Sequence, residues 1–104
     1  MKVRIEVEPQ AITQLAELDD WWREQRPDSR TTVLDEFEHA LEAALEHPDR
    51  GTLYTRDGVR NVRWLSLRDT PYLLYYHHEP GGDVLSVVAV WSGMRGVGPS
   101  LVGR

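Results

Sequence analysis

Two arginines are the side chains of this 104-residue sequence best placed to do chemistry. Arg63 stands early in a run of strand-forming residues, and Arg95 stands just past the end of that run. A guanidinium is permanently charged and presents a planar fork of donors that matches a carboxylate or a phosphate. Leu65 and Leu67 share the strand face of Arg63, which puts that arginine at the edge of an apolar surface. Gly93 lets the backbone turn before Arg95. Each arginine has two readings: capture of an anionic group, or a salt bridge to a local acid such as Asp69 or Glu79.

The other candidates are weaker. Glu36-x-x-His39 has the spacing of carboxylate di-iron bundles, which need a second such pair and two further glutamates. No second Glu-x-x-His occurs, so the pair reads as part of an exposed polar helix face with Asp35, Glu38, Glu42 and Glu46. His77 and His78 point to opposite sides of a strand and cannot chelate one ion together. No metal and no cofactor is expected. Trp21 and Trp22 cannot face the same core: Trp22 continues an apolar helical stripe, whereas Trp21 lies about 100° away and is a candidate for a protein contact. There is no phosphate-binding Gly-x-x-x-x-Gly-Lys loop and no nucleophile elbow.

The elements that position these residues follow from pattern and punctuation. Lys2–Val7 alternates like a short strand with one buried face. Pro9 opens a helix, where its missing N–H costs nothing, and Ala11, Leu15, Leu18 and Trp22 form its stripe. Arg26-Pro27 ends it. Asp28 or Ser29 can cap a second helix running to about His47, with Val33, Leu34, Phe37, Leu41, Ala44 and Leu45 apolar, and Pro48 stops it. The short link predicts an antiparallel helix hairpin. Three strands follow, Asn61–Leu67, Tyr72–His77 and Val84–Trp91, broken at Asp69-Thr70-Pro71 and Pro80-Gly81-Gly82-Asp83, with Leu53-Tyr54 a short strand or an extended approach.

The order is β-α-α-β-β-β, an α+β fold in which a helix hairpin packs on a small, antiparallel-rich sheet. Residues 1–104 read as a single domain with a flexible tail from about residue 96. The last strand is apolar at nearly every position, as in a strand covered on both faces. The hairpin can cover one face; what covers the other is open, and a partner is one answer.

Composition narrows the function. There is no cysteine, which excludes disulfides and thiolate metal sites, and no apolar run approaches the roughly 18 residues of a membrane span. The N-terminus has no apolar core of a signal peptide, so the simplest compartment is cytoplasmic. The net charge of −5 divides unequally. Residues 1–51 carry 6 Lys and Arg against 13 Asp and Glu, and residues 52–104 carry 6 against 4. Any footprint for nucleic acid must be small and confined to the sheet half.

Several pieces together resemble the ParE/RelE superfamily of toxins from bacterial type II toxin–antitoxin systems. Pro48-Asp49-Arg50-Gly51 looks like that family's Pro-x-x-Gly, and Val62-Arg63-x-Leu65-x-Leu67 like its Val-Arg-x-Leu-x-Leu. Thr70-Pro71-Tyr72-Leu73-Leu74-Tyr75-Tyr76 is similar to its Phe-Pro-Tyr-x-x-x-Tyr. Ala89-Val90-Trp91-Ser92-Gly93-Met94-Arg95, with Pro99 behind, is similar to its Ala-Val-x-His-x-x-Arg-x-Pro, with Ser92 at the histidine position.

The resemblance implies one of two activities. RelE-like members cut messenger RNA on the ribosome with a cluster of basic residues and a C-terminal tyrosine. Leu73, Met94 and Leu101 stand here where those groups are expected. ParE-like members bind and poison DNA gyrase, which needs a protein-binding surface. The resemblance therefore implies a toxin that acts by binding, with the ribosome-dependent endoribonuclease and a non-toxic antitoxin-binding module as alternatives. Both branches are neutralised by a cognate antitoxin whose disordered segment folds as it binds. The contact surface, for target or antitoxin, is expected to include Arg63, Trp91, Arg95 and Trp21.

Overall fold

The computed structural model describes residues 3–28 and 32–101. Strand β1 (Arg4–Val7) leads into helix α1 (Pro9–Gln25), then helix α2 (Val33–Glu46), and strands β2 (Thr52–Tyr54), β3 (Val62–Ser66), β4 (Tyr72–His78) and β5 (Val84–Ser92). Single 3₁₀ turns occupy Arg56–Gly58 and Gly93–Arg95. The five strands lie in the order β1-β5-β4-β3-β2. All neighbours are antiparallel except β1 and β5, which run parallel: the helix hairpin carries the chain from β1 to β2 at the opposite edge, and the β2–β5 meander brings β5 back beside β1. The α+β hairpin-on-sheet architecture is the expected one, with Leu53-Tyr54 resolved as part of a true strand paired to β3.

Local details differ from the sequence pattern. The cap of α2 is Thr32, whose hydroxyl accepts from the Asp35 N–H at 3.0 Å, rather than Asp28; Ser29 lies outside the described residues. Val3 before β1 and Val7 at its end are partly buried, while Ile5 between them is 37% exposed on this edge strand.

The helix-facing side of the sheet carries Leu65, Leu67, Tyr72, Leu74, Tyr76, Leu85, Val87 and Val90 against Ala11, Trp22, Val33, Phe37, Ala40 and Ala44. Burial of each large apolar side chain here stabilises the fold by roughly 1.5–3 kcal/mol. β5 changes register against β4 between Tyr75 and Tyr76, so Val87 and Val90 both face the helices with two residues between them. The side chains of α1 serve the backbone at this bulge. Gln10 Nε2 donates to the Val88 carbonyl and Gln14 Oε1 accepts from Val90 N–H, each at 2.9 Å.

The opposite face answers the question posed by the apolar last strand. Val62, Tyr75, Val88, Ala89 and Leu101 form a second core, flanked by Tyr54, Val59, Trp64, Leu73 and Trp91. The chain's own tail covers this strip. In the segment from residue 96, Pro99 is buried and Leu101 is 1% exposed, whereas Val97 is 65% exposed. Polar bonds to β2 and the turn after it hold it there, contacts that local composition does not encode.

Candidate functional site

Each end of the sheet carries one tyrosine of β4 and one of the two arginines. At one end, the Pro48-Asp49-Arg50-Gly51 turn closes onto Tyr76. The Tyr76 hydroxyl donates to the Pro48 carbonyl at 2.8 Å and accepts from Gly51 N–H at 3.2 Å. Glycine is required at position 51, because a β-carbon there would lie 2.7 Å from that hydroxyl and 2.9 Å from the Trp64 carbonyl. Arg63 pairs with Tyr76 across β3 and β4, and its Nη1 donates to the Gly51 carbonyl at 2.8 Å. Arg63 therefore bonds the turn rather than Asp69 or Glu79. It also lines a hollow of about 280 Å³ with Pro48, Asp49, Asn61 and His78. Burial raises the Tyr76 phenol above its ordinary value of 10.0; the Gly51 N–H and Arg63 oppose that rise, and Asp49 adds to it.

At the other end, β5 runs into the Gly93–Arg95 turn. Gly93 N–H bonds the Pro71 carbonyl at 2.8 Å, and the Ser92 hydroxyl accepts from Met94 N–H at 3.3 Å. These bonds set the direction of the turn. Gly96, at φ +78°, ends it in a left-handed conformation that suits glycine. Arg95 is exposed, and its guanidinium lies 4.4 Å over the Trp91 ring. A cation over an indole face is attracted by the ring quadrupole without losing its outward donors. No ion pair to Arg95 occurs among the described residues. The Trp91 indole is itself fixed, donating from Nε1 to the Val97 carbonyl at 2.8 Å.

Beside Arg95 lies a cleft of about 310 Å³, lined by Leu18 and Trp21 of α1 and by Pro71, Tyr72, Ser92 and Met94. Trp21 is 51% exposed and Met94 78% exposed, whereas Trp22 is buried edge-on against Tyr72. Tyr72 is as buried as Tyr76, yet its hydroxyl has no hydrogen-bond partner among the described residues. Burial raises the Tyr72 phenol above its usual range. Open apolar walls and an exposed guanidinium describe a surface suited to docking a protein segment.

The fold thus brings Trp21 and Arg95 to one cleft, stacks Arg95 on Trp91, and sets Arg63 at the far end of the sheet. It also places residues that sequence reasoning missed. Glu36, read as part of a solvated face, is 5% exposed and turned inward. Its carboxylate accepts from the backbone N–H groups of Asp69 and Thr70, the latter at 2.9 Å, anchoring the β3–β4 turn that carries Pro71. That carboxylate is thereby committed away from His39. Asp19 is likewise buried within the α1 stripe, bonded to Arg23 Nε at 3.0 Å. His77 and His78 part as expected, His77 toward Glu79 and His78 onto the Gly82 carbonyl.

A family model described as the ParE toxin of the type II toxin–antitoxin system parDE matches residues 5–96. A chain in the chromosomal ParDE TA system from P. aeruginosa shares the fold at 13% identity, with a TM-score of 0.62, covering 86% of this chain and 95% of that one. A chain in the intact E. coli RelBE toxin–antitoxin complex does so at 21% identity, TM-score 0.59, over 86% and 95%. The isolated E. coli RelE toxin does so at 21% identity, TM-score 0.59, over 89% and 86%. No curated protein sequence matches the chain.

Proposed function

Because the chain belongs to the ParE toxin family of type II toxin–antitoxin systems, we propose that it inhibits an essential bacterial target by binding it, and that the Arg95 end of the sheet makes the contact. The target favoured is DNA gyrase. The observation that carries this reading is the match of the ParE toxin model to residues 5–96. The surface is built from Trp21, Met94, Arg95 and the Trp91 ring beneath it. Buried aromatic and arginine anchors of this kind supply most of the energy in protein interfaces. A cognate antitoxin neutralises the toxin, its segment ordering as it binds. Arg63, expected as a second contact residue, is bonded to the turn at Gly51 at the opposite end of the sheet.

The RelE reading is supported by folds of comparable likeness, and the side chains at the positions where the resemblance expects nuclease groups weigh against it. Leu73 packs against the second apolar core, Leu101 of the tail is buried in that core, and Met94 stands on the cleft rim. None of these side chains can donate or accept a proton or compensate phosphate charge. Induced expression in bacteria tests the proposal. Growth arrest with gyrase-dependent double-strand breaks, reversed by the antitoxin, is the expected outcome. Cleaved transcripts with intact chromosomes would transfer the protein to the nuclease branch, and normal growth would make it a non-toxic antitoxin-binding module.

A further inference from the structure

Among the described residues, four hydrogen bonds hold the tail, and three of them come from one short segment. After Gly96 the chain turns back across the helix-free face of the sheet. Arg56 Nη1 donates to the Gly98 carbonyl, Tyr54 Oη donates to the Pro99 carbonyl at 2.7 Å, and Asp57 Oδ2 accepts from Leu101 N–H at 2.9 Å. The fourth bond is that of the Trp91 indole to the Val97 carbonyl. Packing adds to polarity, since a β-carbon on Gly98 would sit 2.8 Å from Cε1 of Tyr54. Asp57 makes its bond from a left-handed backbone at φ +64°, a conformation uncommon for a non-glycine residue. Such a conformation persists where the surroundings over-determine it, and it clusters at functional sites.

The chain of contacts then leads to the candidate site. Tyr54, Arg56 and Asp57 hold residues 98–101, the same segment presents the Val97 carbonyl, and that carbonyl fixes the Trp91 indole. Arg95 is stacked on this indole. We infer that Tyr54, Arg56 and Asp57 are positioning residues for Arg95, acting through the docked tail and Trp91. This rests on the proposal that Arg95 contacts the target. A tail that served only to cover apolar surface would need Leu101 and Pro99 buried. It would not need three directed bonds from one segment to successive backbone groups, nor a bond to the ring that carries the exposed arginine.

The experiment uses the full chain and two readouts: hydrogen exchange of the Trp91 indole N–H by NMR, and growth inhibition on matched expression. Four variants are compared. Tyr54→Phe keeps the ring against Tyr75 and removes one bond. Gly98→Ala pushes the tail away from an intact Tyr54. Asp57→Ala removes the acceptor, and Asp57→Asn restores an acceptor in a residue that tolerates this backbone. The first three are expected to speed exchange of the Trp91 indole by about tenfold or more and to weaken growth inhibition in parallel, without a matching loss of thermal stability. Asp57→Asn is expected to recover both. An indole that exchanges as in the wild type in the first three variants overturns the proposal. So does a freed indole with undiminished growth inhibition, provided that Arg95→Ala abolishes inhibition. Should Arg95→Ala prove harmless, the contact reading fails and the positioning role falls with it. The exchange data still report in that case whether the segment 54–57 holds the tail.

Discussion

The two ends of the sheet are built from the same kinds of residue and come out with opposite character. β4 gives each a tyrosine, Tyr76 at one and Tyr72 at the other, exposed by 0% and 2%. Each has an arginine nearby. At the Tyr76 end every one of these groups is satisfied within the chain, through Pro48, Gly51 and Arg63. At the Tyr72 end the hydroxyl has no partner among the described residues, the arginine is exposed and rests on a ring, and Trp21 and Met94 stand in solvent. Burial of the tyrosines does not separate the two ends; hydrogen bonding of their phenols and exposure of the arginines do. A saturated network fixes the fold, and exposed side chains at the edge of a cleft are free to take a partner.

The most disruptive way to break this comparison is at the anchor of the open end. Glu36→Ala leaves the Asp69 and Thr70 N–H groups without their acceptor beneath the turn that shapes the cleft. It is expected to cost about 2–4 kcal/mol in denaturant unfolding, since charged, buried hydrogen bonds are lost and donors are stranded. Glu42→Ala, on the exposed part of the same helix, is expected to stay within about 0.5 kcal/mol. Equal losses for the two would mean that Glu36 does not hold the turn.

The arginines sharpen the contrast. Arg63→Ala strands the Gly51 carbonyl and is expected to cost about 1–3 kcal/mol of stability, with growth inhibition falling only as folded protein is lost. Arg95→Ala is expected to leave stability within about 1 kcal/mol, the scale of an exposed cation–π contact. Its growth inhibition should fall about 30-fold or more, the equivalent of a hot-spot side chain. Thermal unfolding and dose-matched growth curves on both variants check this. The reverse pattern would move the contact surface to the Gly51 end.

Much of this architecture was legible in the sequence, because it depends on local periodicity and breakers. The strand run from Val62 to Ser92, the Pro9 start and Arg26 end of α1, the inward Trp22 and outward Trp21, and the shared face of Arg63, Leu65 and Leu67 all follow from spacing. What was not legible depends on residues far apart in the chain. Glu36 turns inward because the β3–β4 turn presents two N–H groups to it. Gln10 and Gln14 face the sheet because the β5 bulge exposes backbone there. The tail docks because Tyr54, Arg56 and Asp57 meet it across more than forty positions. A polar residue on a helix face carries no local sign that a distant backbone group will need it. The site residues divide the same way: Trp21 and Arg95 were identifiable as exposed candidates, but their shared cleft is a product of α1 packing on the sheet.

The tyrosines give a smaller test with the same logic. Tyr76→Phe removes a hydroxyl that donates once and accepts once, stranding the Pro48 carbonyl and the Gly51 N–H, and is expected to cost about 1–2 kcal/mol. Tyr72→Phe removes a buried hydroxyl without a partner among the described residues and is expected to be neutral or stabilising by about 1 kcal/mol or less. Matched denaturant midpoints decide it. A destabilised Tyr72→Phe would reveal a bond at the open end and erase the difference between the two ends.

The finest distinction is in alkali. Burial raises the Tyr72, Tyr75 and Tyr76 phenols above 10.0 in the folded chain, with Tyr54 adding to the rise at Tyr75. Below pH 10 these phenols are protonated in both states and contribute no pH dependence. Above it the unfolded chain releases its protons first, so it binds fewer protons than the native state and stability falls with rising pH. The fall continues until the folded pKa values are passed. Each Tyr→Phe substitution should therefore flatten the loss between neutral pH and the alkaline limb, as read by denaturant unfolding at a series of pH values. The two ends should differ again when Arg63 is removed. At Tyr76 the guanidinium opposes the rise, so Arg63→Ala should push that phenol higher still in a phenolate titration, with Tyr72 unchanged. If Arg63→Ala left the Tyr76 titration where it was, the arginine would not be electrostatically coupled to that ring. The closed end would then be held by its hydrogen bonds alone.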